Sequence, residues 1–264
     1  MTDVAEPPRR AWVEQIMGMP ISLHLRGDTA RDAGLEPTVA ALYDELRDVD
    51  ALFSTYRDDS QVSLINRGEL DLDAADPAVR EVVALCDEAR ERTDGFFDAR
   101  LPSPRGGTWF DPSGVVKGWA VERAAARLAG LPGLDFCLTA GGDVVMGCGR
   151  PQAEPWRVGI EDPDRPQELI AVVRVLAGGV ATSGSAHRGL HIVDPRTGTP
   201  AGQVRAVTVT GPSLMWADVY ATAAVVRGSG ALDWLRDLPG YEGIVVQDGR
   251  VTATPALRGA LLDR

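Results

Sequence analysis

Apolar spacing along the chain shifts from helix-like in the first half to mostly strand-like in the second, and no strand–helix–strand succession recurs. Between Glu36 and Phe53 the positions Val39, Leu42, Leu46 and Val49 fall three or four apart, which predicts an amphipathic helix. Pro77 to Thr93 predicts another, with Pro77 suited to its first turn and Thr-Asp-Gly as its stop. Val115 to Leu128 continues the helical pattern, and Ser213 is an N-cap for a helix running to about Val226. Strands are predicted for the two halves of DFCLTAGGDVVMGCG, joined at Gly141 and Gly142, and for Trp156 to Ile160, Leu169 to Leu176 and Val204 to Val209. A short helix and a hairpin through Gln-Asp-Gly-Arg close the chain. This order implies an α+β fold with antiparallel or mixed sheets flanked by helices, and it excludes a doubly wound parallel sheet.

The remaining segments are read more coarsely. Trp12 to Leu25 alternates as one opening strand, and Ser54 to Gly68 predicts a turn and a short helix closed by the glycine. LPSPRGGTW reads as a loop. AGGVATSGSAHRG is dominated by glycine and leads to a short strand, LHIV, and the turn DPRTGTP. At 264 residues, with no linker or repeat, the chain predicts one large domain or two closely packed lobes.

Charge narrows the partners. A formal net charge of −11 repels polyanions at long range and argues against nucleic acid. The chain has 26 arginines and one lysine, Lys117, so a residue type otherwise replaced throughout is kept at one place. Lysine and arginine differ where a compact ammonium must meet a phosphate or carbonyl oxygen. Three cysteines without a C-x-x-C pair support reduced thiols rather than a disulfide framework or a zinc site. No apolar run is long enough to insert into a membrane, and no secretory leader is evident, so a cytoplasmic protein is expected.

Three groups of residues could carry chemistry. In FDPSGVVKG, Asp111 precedes Lys117 by six positions across a turn that opens a helix, where unpaired N–H groups and an ammonium could receive an anion such as a pyrophosphate. Taken alone, Asp111 reads equally as an N-cap and Lys117 as a solvated charge. In MWADVYATAAV, Asp218 and Thr222 lie four apart on one helical face, a pair of hard oxygens suited to Mg²⁺ or to a solvent-facing Asp beside a back-bonded Thr. Of three histidines, His24 follows a strand alternation, His187 lies in a glycine-rich loop, and His191 leads into a rigid Asp-Pro turn. The last placement suits a general base or a structural ring.

Taken in order, these segments resemble the ApbE family of flavin transferases, enzymes that move FMN from FAD onto a threonine or serine of a target protein. The resemblance runs through Met17-Gly18, STYRDDSQVSLIN (Ser54 to Asn66), TDGFFD (Thr93 to Asp98) and DPSGVVKG (Asp111 to Gly118). It continues with AGGD (Ala140 to Asp143), ATSG (Ala181 to Gly184), HIVDPRTG (His191 to Gly198) and AD-x-x-ATA (Ala217 to Ala223). It implies a single ApbE-like domain over residues 1–264 and an FAD site lined by Met17, Phe96, Phe97, Asp98, Asp111, Lys117 and Ile192. It also implies Mg²⁺ held by Asp218, Thr222 and a backbone carbonyl of Gly114, and His191 as base for the acceptor hydroxyl. The sequence departs from the family pattern in the short stretch between Ala99 and Phe110, in Pro112, in the continuation SAHRG after ATSG, and in the absence of a lipoprotein signal. The resulting expectation is a Mg²⁺-dependent FAD:protein FMN transferase that releases AMP. Its rivals are an FAD pyrophosphatase without a protein acceptor and a module that binds FAD without turning it over.

Overall fold

The chain opens with a hairpin, β1 (Arg9–Ile16) and β2 (Met19–Gly27), where one strand was expected. The turn between them sets Met17 at φ +54 and Gly18 at φ +70. Two consecutive positive φ values give the turn a twist that matches paired strands. A methionine does not advertise that conformation as Asn or Asp would, which is why the alternation reads as continuous.

The computed structural model describes residues 6–102, 106–184 and 192–263. After the hairpin come helices α1 (Glu36–Phe53), α2 (Gln61–Asn66) and α3 (Pro77–Arg92). Ser60 caps α2 by accepting the Ser63 N–H, and Asp76 caps α3 by accepting the Ala78 N–H beside Pro77. The segment expected as a loop forms a small antiparallel pair, β3 (Arg100–Pro102) and β4 (Thr108–Phe110). Helix α4 (Ser113–Ala125) precedes β5 (Leu134–Ala140) and β6 (Asp143–Cys148), joined through Gly141 and Gly142, both at positive φ. Next are the hairpin β7 (Trp156–Asp162) and β8 (Arg165–Val175), strand β9 (Gly178–Gly184), and the two-residue strands β10 (Val193–Asp194) and β11 (Thr199–Pro200). β10 is all that the described residues show of the expected strand LHIV. The chain then forms β12 (Ala206–Gly211), α5 (Leu214–Arg227), α6 (Ala231–Arg236), β13 (Glu242–Gln247) and β14 (Arg250–Ala253).

Eight strands build one fully antiparallel sheet in the order β1-β2-β5-β6-β9-β12-β13-β14. The order in space follows the order in the chain, and the helices and the β7–β8 hairpin are excursions between neighbouring strands. The period-2 pattern serves both faces. Val145, Ala181, Val207 and Val245 enter the core shared with the helices, while Val144, Met146, Val180, Ala206 and Ile244 enter a second core under β7–β8. The two expected lobes thus take the form of two apolar cores on opposite faces of one sheet.

Glycines set the closest approaches. A Cβ at Gly118 on α4 would lie 2.6 Å from Met215 Cα, and one at Gly179 on β9 would lie 2.4 Å from Leu214 Cα. The N-terminus of α5 is therefore wedged between α4 and the sheet. Gly118→Ala is expected to lower stability by about 1–3 kcal/mol through this overpacking. Thermal unfolding of the variant checks it, and an unchanged midpoint would show that the helices separate freely. Among the described residues no helix is long and apolar enough to cross a membrane. The three cysteines are free thiols, and burial pushes Cys86 up to about 12 and Cys137 up to about 11.

Candidate functional site

Helices α4 and α5 bring together two residues far apart in the chain. Ser213 caps α5 by accepting the Trp216 N–H. Glu122 of α4 then accepts the Ser213 hydroxyl at 2.8 Å and the Met215 N–H at 3.1 Å, so the start of α5 is tied to α4. With Gly118 allowing close contact, Lys117 and Asp218 face each other, Nζ to Oδ2, at 3.3 Å.

A third group completes the cluster. The Lys117 ammonium also pairs with Oδ2 of Asp143, the first residue of β6. Oδ1 of Asp143 accepts the Thr182 N–H from β9 at 3.0 Å, which fixes the carboxylate. The Asp143 and Asp218 side chains are 2% and 4% exposed, against 25% for Lys117. Burial opposes the charge on Lys117, yet the carboxylates of Asp218 and Asp143 outweigh it and hold the ammonium above the usual lysine range. Thr222 lies one turn beyond Asp218, and its Oγ1 is 2.9 Å from the hydroxyl of Ser183 on β9.

The other expected residues occupy distinct settings. Asp111 accepts the Ser113 N–H at 3.0 Å from one position before the N-cap of α4, which is Pro112 and not Asp111. Gly114 is the second residue of α4, and a Cβ there would lie 2.8 Å from the ring of Phe97. Phe97 is buried in the core beneath that turn. Asp98 pairs with Arg90 at 3.0 Å and accepts the Arg100 N–H at 2.8 Å. Half-buried Phe96 carries two guanidinium groups over its ring, those of Arg196 at 3.7 Å and Arg227 at 4.1 Å. Met17 sits at the tip of the first hairpin, and the Ile192 carbonyl accepts the Ala201 N–H at 2.8 Å. His191 lies outside the described residues.

The site thus joins Lys117, Asp218 and Thr222 to two residues that sequence reasoning did not assign, Asp143 and Ser183. Both stand in the segments AGGD and ATSG that carried the resemblance, but nothing in their local spacing shows that strands β6 and β9 deliver them to helices α4 and α5. Among the described residues no group of three or more His, Cys, Asp or Glu side chains is arranged to hold a metal ion.

Comparison with known proteins follows the same outline. The model of the ApbE family matches residues 17–103 and 99–245. An FAD:protein FMN transferase of Rhodobacter capsulatus is 28% identical over 269 residues, covering 96% of this chain and 51% of that protein. One of Salmonella typhimurium is 33% identical over 145 residues, covering 51% of this chain and 40% of that protein. The chain spans about half, or less, of the length of these curated relatives. Among solved structures, the apo flavinyl transferase ApbE of Pseudomonas stutzeri superposes with a TM-score of 0.80 at 24% identity, covering 99% of this chain and all of that one. The ApbE protein of Thermotoga maritima does so with 0.79 at 21%, covering 97% of this chain and all of that one. With the family model spanning most of the sequence and the fold shared from end to end, the chain belongs to the ApbE family.

Proposed function

We propose that residues 1–264 act as one flavin-transferase domain that moves FMN from FAD to a threonine or serine hydroxyl of a target protein and releases AMP. The observation that carries this reading is the buried cluster of Lys117, Asp143 and Asp218 beside the Thr222–Ser183 hydroxyl pair. Family membership and the names of the relatives support it.

The donor set fits a hard divalent cation. Its donors are carboxylate and hydroxyl oxygens, the hard ligands that such an ion takes. Asp218 and Thr222, with the Gly114 carbonyl, would hold Mg²⁺, which when bound neutralises diphosphate charge and polarises the phosphoryl oxygens.

The protein's own groups divide the remaining work. Lys117, kept charged by its carboxylate partners, offers an ammonium for the phosphate oxygens of FAD. Ser183 orients Thr222. His191 is assigned on sequence alone as the base that takes the proton from the acceptor hydroxyl. That oxygen bonds to the FMN phosphorus as the bond from phosphorus to the AMP oxygen breaks. The anhydride bond supplies the driving force, so catalysis rests on positioning and charge neutralisation.

The test is incubation with FAD and Mg²⁺, with and without an acceptor peptide, reading AMP release and covalent flavin. AMP with labelled peptide supports transfer, AMP without label supports hydrolysis, and tight FAD binding without AMP supports a binding module. His191→Ala is expected to slow labelling by about 10²–10⁴-fold with FAD binding retained. Labelling by the parent should decline as pH falls through the range in which free imidazole protonates, because a protonated ring accepts no proton. Equal labelling by parent and variant across that range removes His191 from the reaction.

A further inference from the structure

The segment from Ser54 to Asn66 has no part in the reaction described above. It ends in α2, a helix of six residues that is too short to hold itself. Its surroundings brace it. The buried Ser60 hydroxyl donates to the Ser54 carbonyl at 2.7 Å and accepts the Ser63 N–H at 3.1 Å, and the Gln61 side chain accepts the Asp76 N–H at 2.7 Å. The braced helix delivers Asn66 to a strand 44 residues further along the chain. Its Nδ2 donates to the Phe110 carbonyl at 2.8 Å, and its Oδ1 accepts the Phe110 N–H at 2.9 Å. Hydrogen bonds to a partner strand alternate along an antiparallel pair. The Asp111 N–H bonds to the Ala99 carbonyl at 2.8 Å on the β3 side, so the polar groups of Phe110 turn away from β3, and Asn66 satisfies both as a further strand would.

Little slack separates that clamp from the site. Asp111 accepts the Ser113 N–H, the ring of Pro112 fixes its φ, and the Pro112 carbonyl accepts the N–H groups of Val115 and Val116 at 2.9 Å. A displacement of Phe110 is thereby passed to the first turn of α4, which carries Gly114. We propose that Asn66 is a positioning residue, which holds the start of α4 so that the Gly114 carbonyl stands where a divalent cation needs it. The proposal rests on the assignment of that carbonyl to cation binding made above.

The experiment compares the full chain with N66D, which keeps the side chain's shape and its acceptor but sets a carboxylate oxygen against the Phe110 carbonyl in place of the donor. Amide hydrogen exchange of residues 113–117 is expected to quicken by about tenfold relative to that of β5 in the same molecule. Calorimetric titration of Mg²⁺ alone, without FAD, is expected to show binding weaker by about tenfold. The added negative charge attracts a cation, so weaker binding cannot come from charge. A bond that served stability only would lower the unfolding midpoint and leave the affinity of the folded chain unchanged. Mg²⁺ binding within about threefold of the parent's, or weaker binding without the local change in exchange, overturns the proposal. If N66D does not fold, S60A decides by the same two readouts, because it loosens α2 without touching Phe110. Unchanged Mg²⁺ binding or unchanged local exchange in S60A then overturns the proposal. Failure of the underlying cation assignment looks different. In that case the parent itself takes up no Mg²⁺, and the proposal falls with the assignment.

Discussion

Asp218→Asn is expected to lower FMN transfer from FAD by about 10³-fold, because the lost carboxylate supplies several kcal/mol of charge stabilisation to a phosphoryl-transfer cation. The amide keeps the shape of the side chain at a position 4% exposed, so packing around α5 is preserved. Lys117 keeps Asp143 as its partner, and no buried ammonium is left uncompensated. Folding should therefore survive while chemistry does not. Covalent flavin on an acceptor peptide, together with the circular dichroism spectrum of the variant, checks both halves. Transfer at the parent rate would falsify the placement of the cation at Asp218.

The largest effect on stability is expected at Asp135. This carboxylate is fully buried and accepts Arg26 Nε at 2.9 Å, Arg150 Nη2 at 2.8 Å and the Gly149 N–H at 3.1 Å. Arg26 in turn stacks on Trp156 at 4.0 Å and donates to the Glu154 carbonyl, so one acid ties β2, β5 and the start of the β7–β8 hairpin together. Asp135→Ala leaves the Arg26 side chain, 8% exposed, without its counter-charge, at a cost of about 3–5 kcal/mol. Denaturant unfolding measures it, and a loss below about 1 kcal/mol would place the pair among ornamental surface contacts. The same carboxyl supplies a pH signature. Burial pushes its pKa up, but the hydrogen bonds from Arg150 and Arg26 prevail and hold it below the usual carboxylate range. A folded value below the unfolded one means that the stabilisation is complete above the unfolded pKa and disappears as pH falls through the folded one. The variant's unfolding free energy should accordingly fall less steeply than the parent's on the acid side.

What the sequence made legible was what local chemistry controls. α1 begins and ends where its apolar period does, α3 carries Pro77 in its first turn, and α5 starts at the Ser213 cap. The hairpins at Gly141-Gly142 and Asp248-Gly249 follow from residues that accept positive φ. The unread parts depended on distant partners. β9 was obscured by its glycines, although Gly179 is required there by the backbone of Leu214, a residue far along the chain. In the site, the lone lysine and the Asp218–Thr222 spacing could be singled out, but the bond from Lys117 to Asp143 exists only once the β5–β6 turn is laid beneath α4.

The in-order sheet has a consequence for how the protein is made. A ribosome delivers strands in the sequence in which the sheet needs them, so most new strands meet a neighbour already present. The exception is the long interval between Gly27, where β2 ends, and Leu134, where β5 begins. Throughout that interval the nascent chain carries an edge of unpaired N–H and C=O groups along β2, open to any other extended chain. The helices made meanwhile can cover one face of the hairpin but cannot satisfy that edge. The emergence of Leu134–Ala140 is therefore the step at which the open edge of β2 is closed.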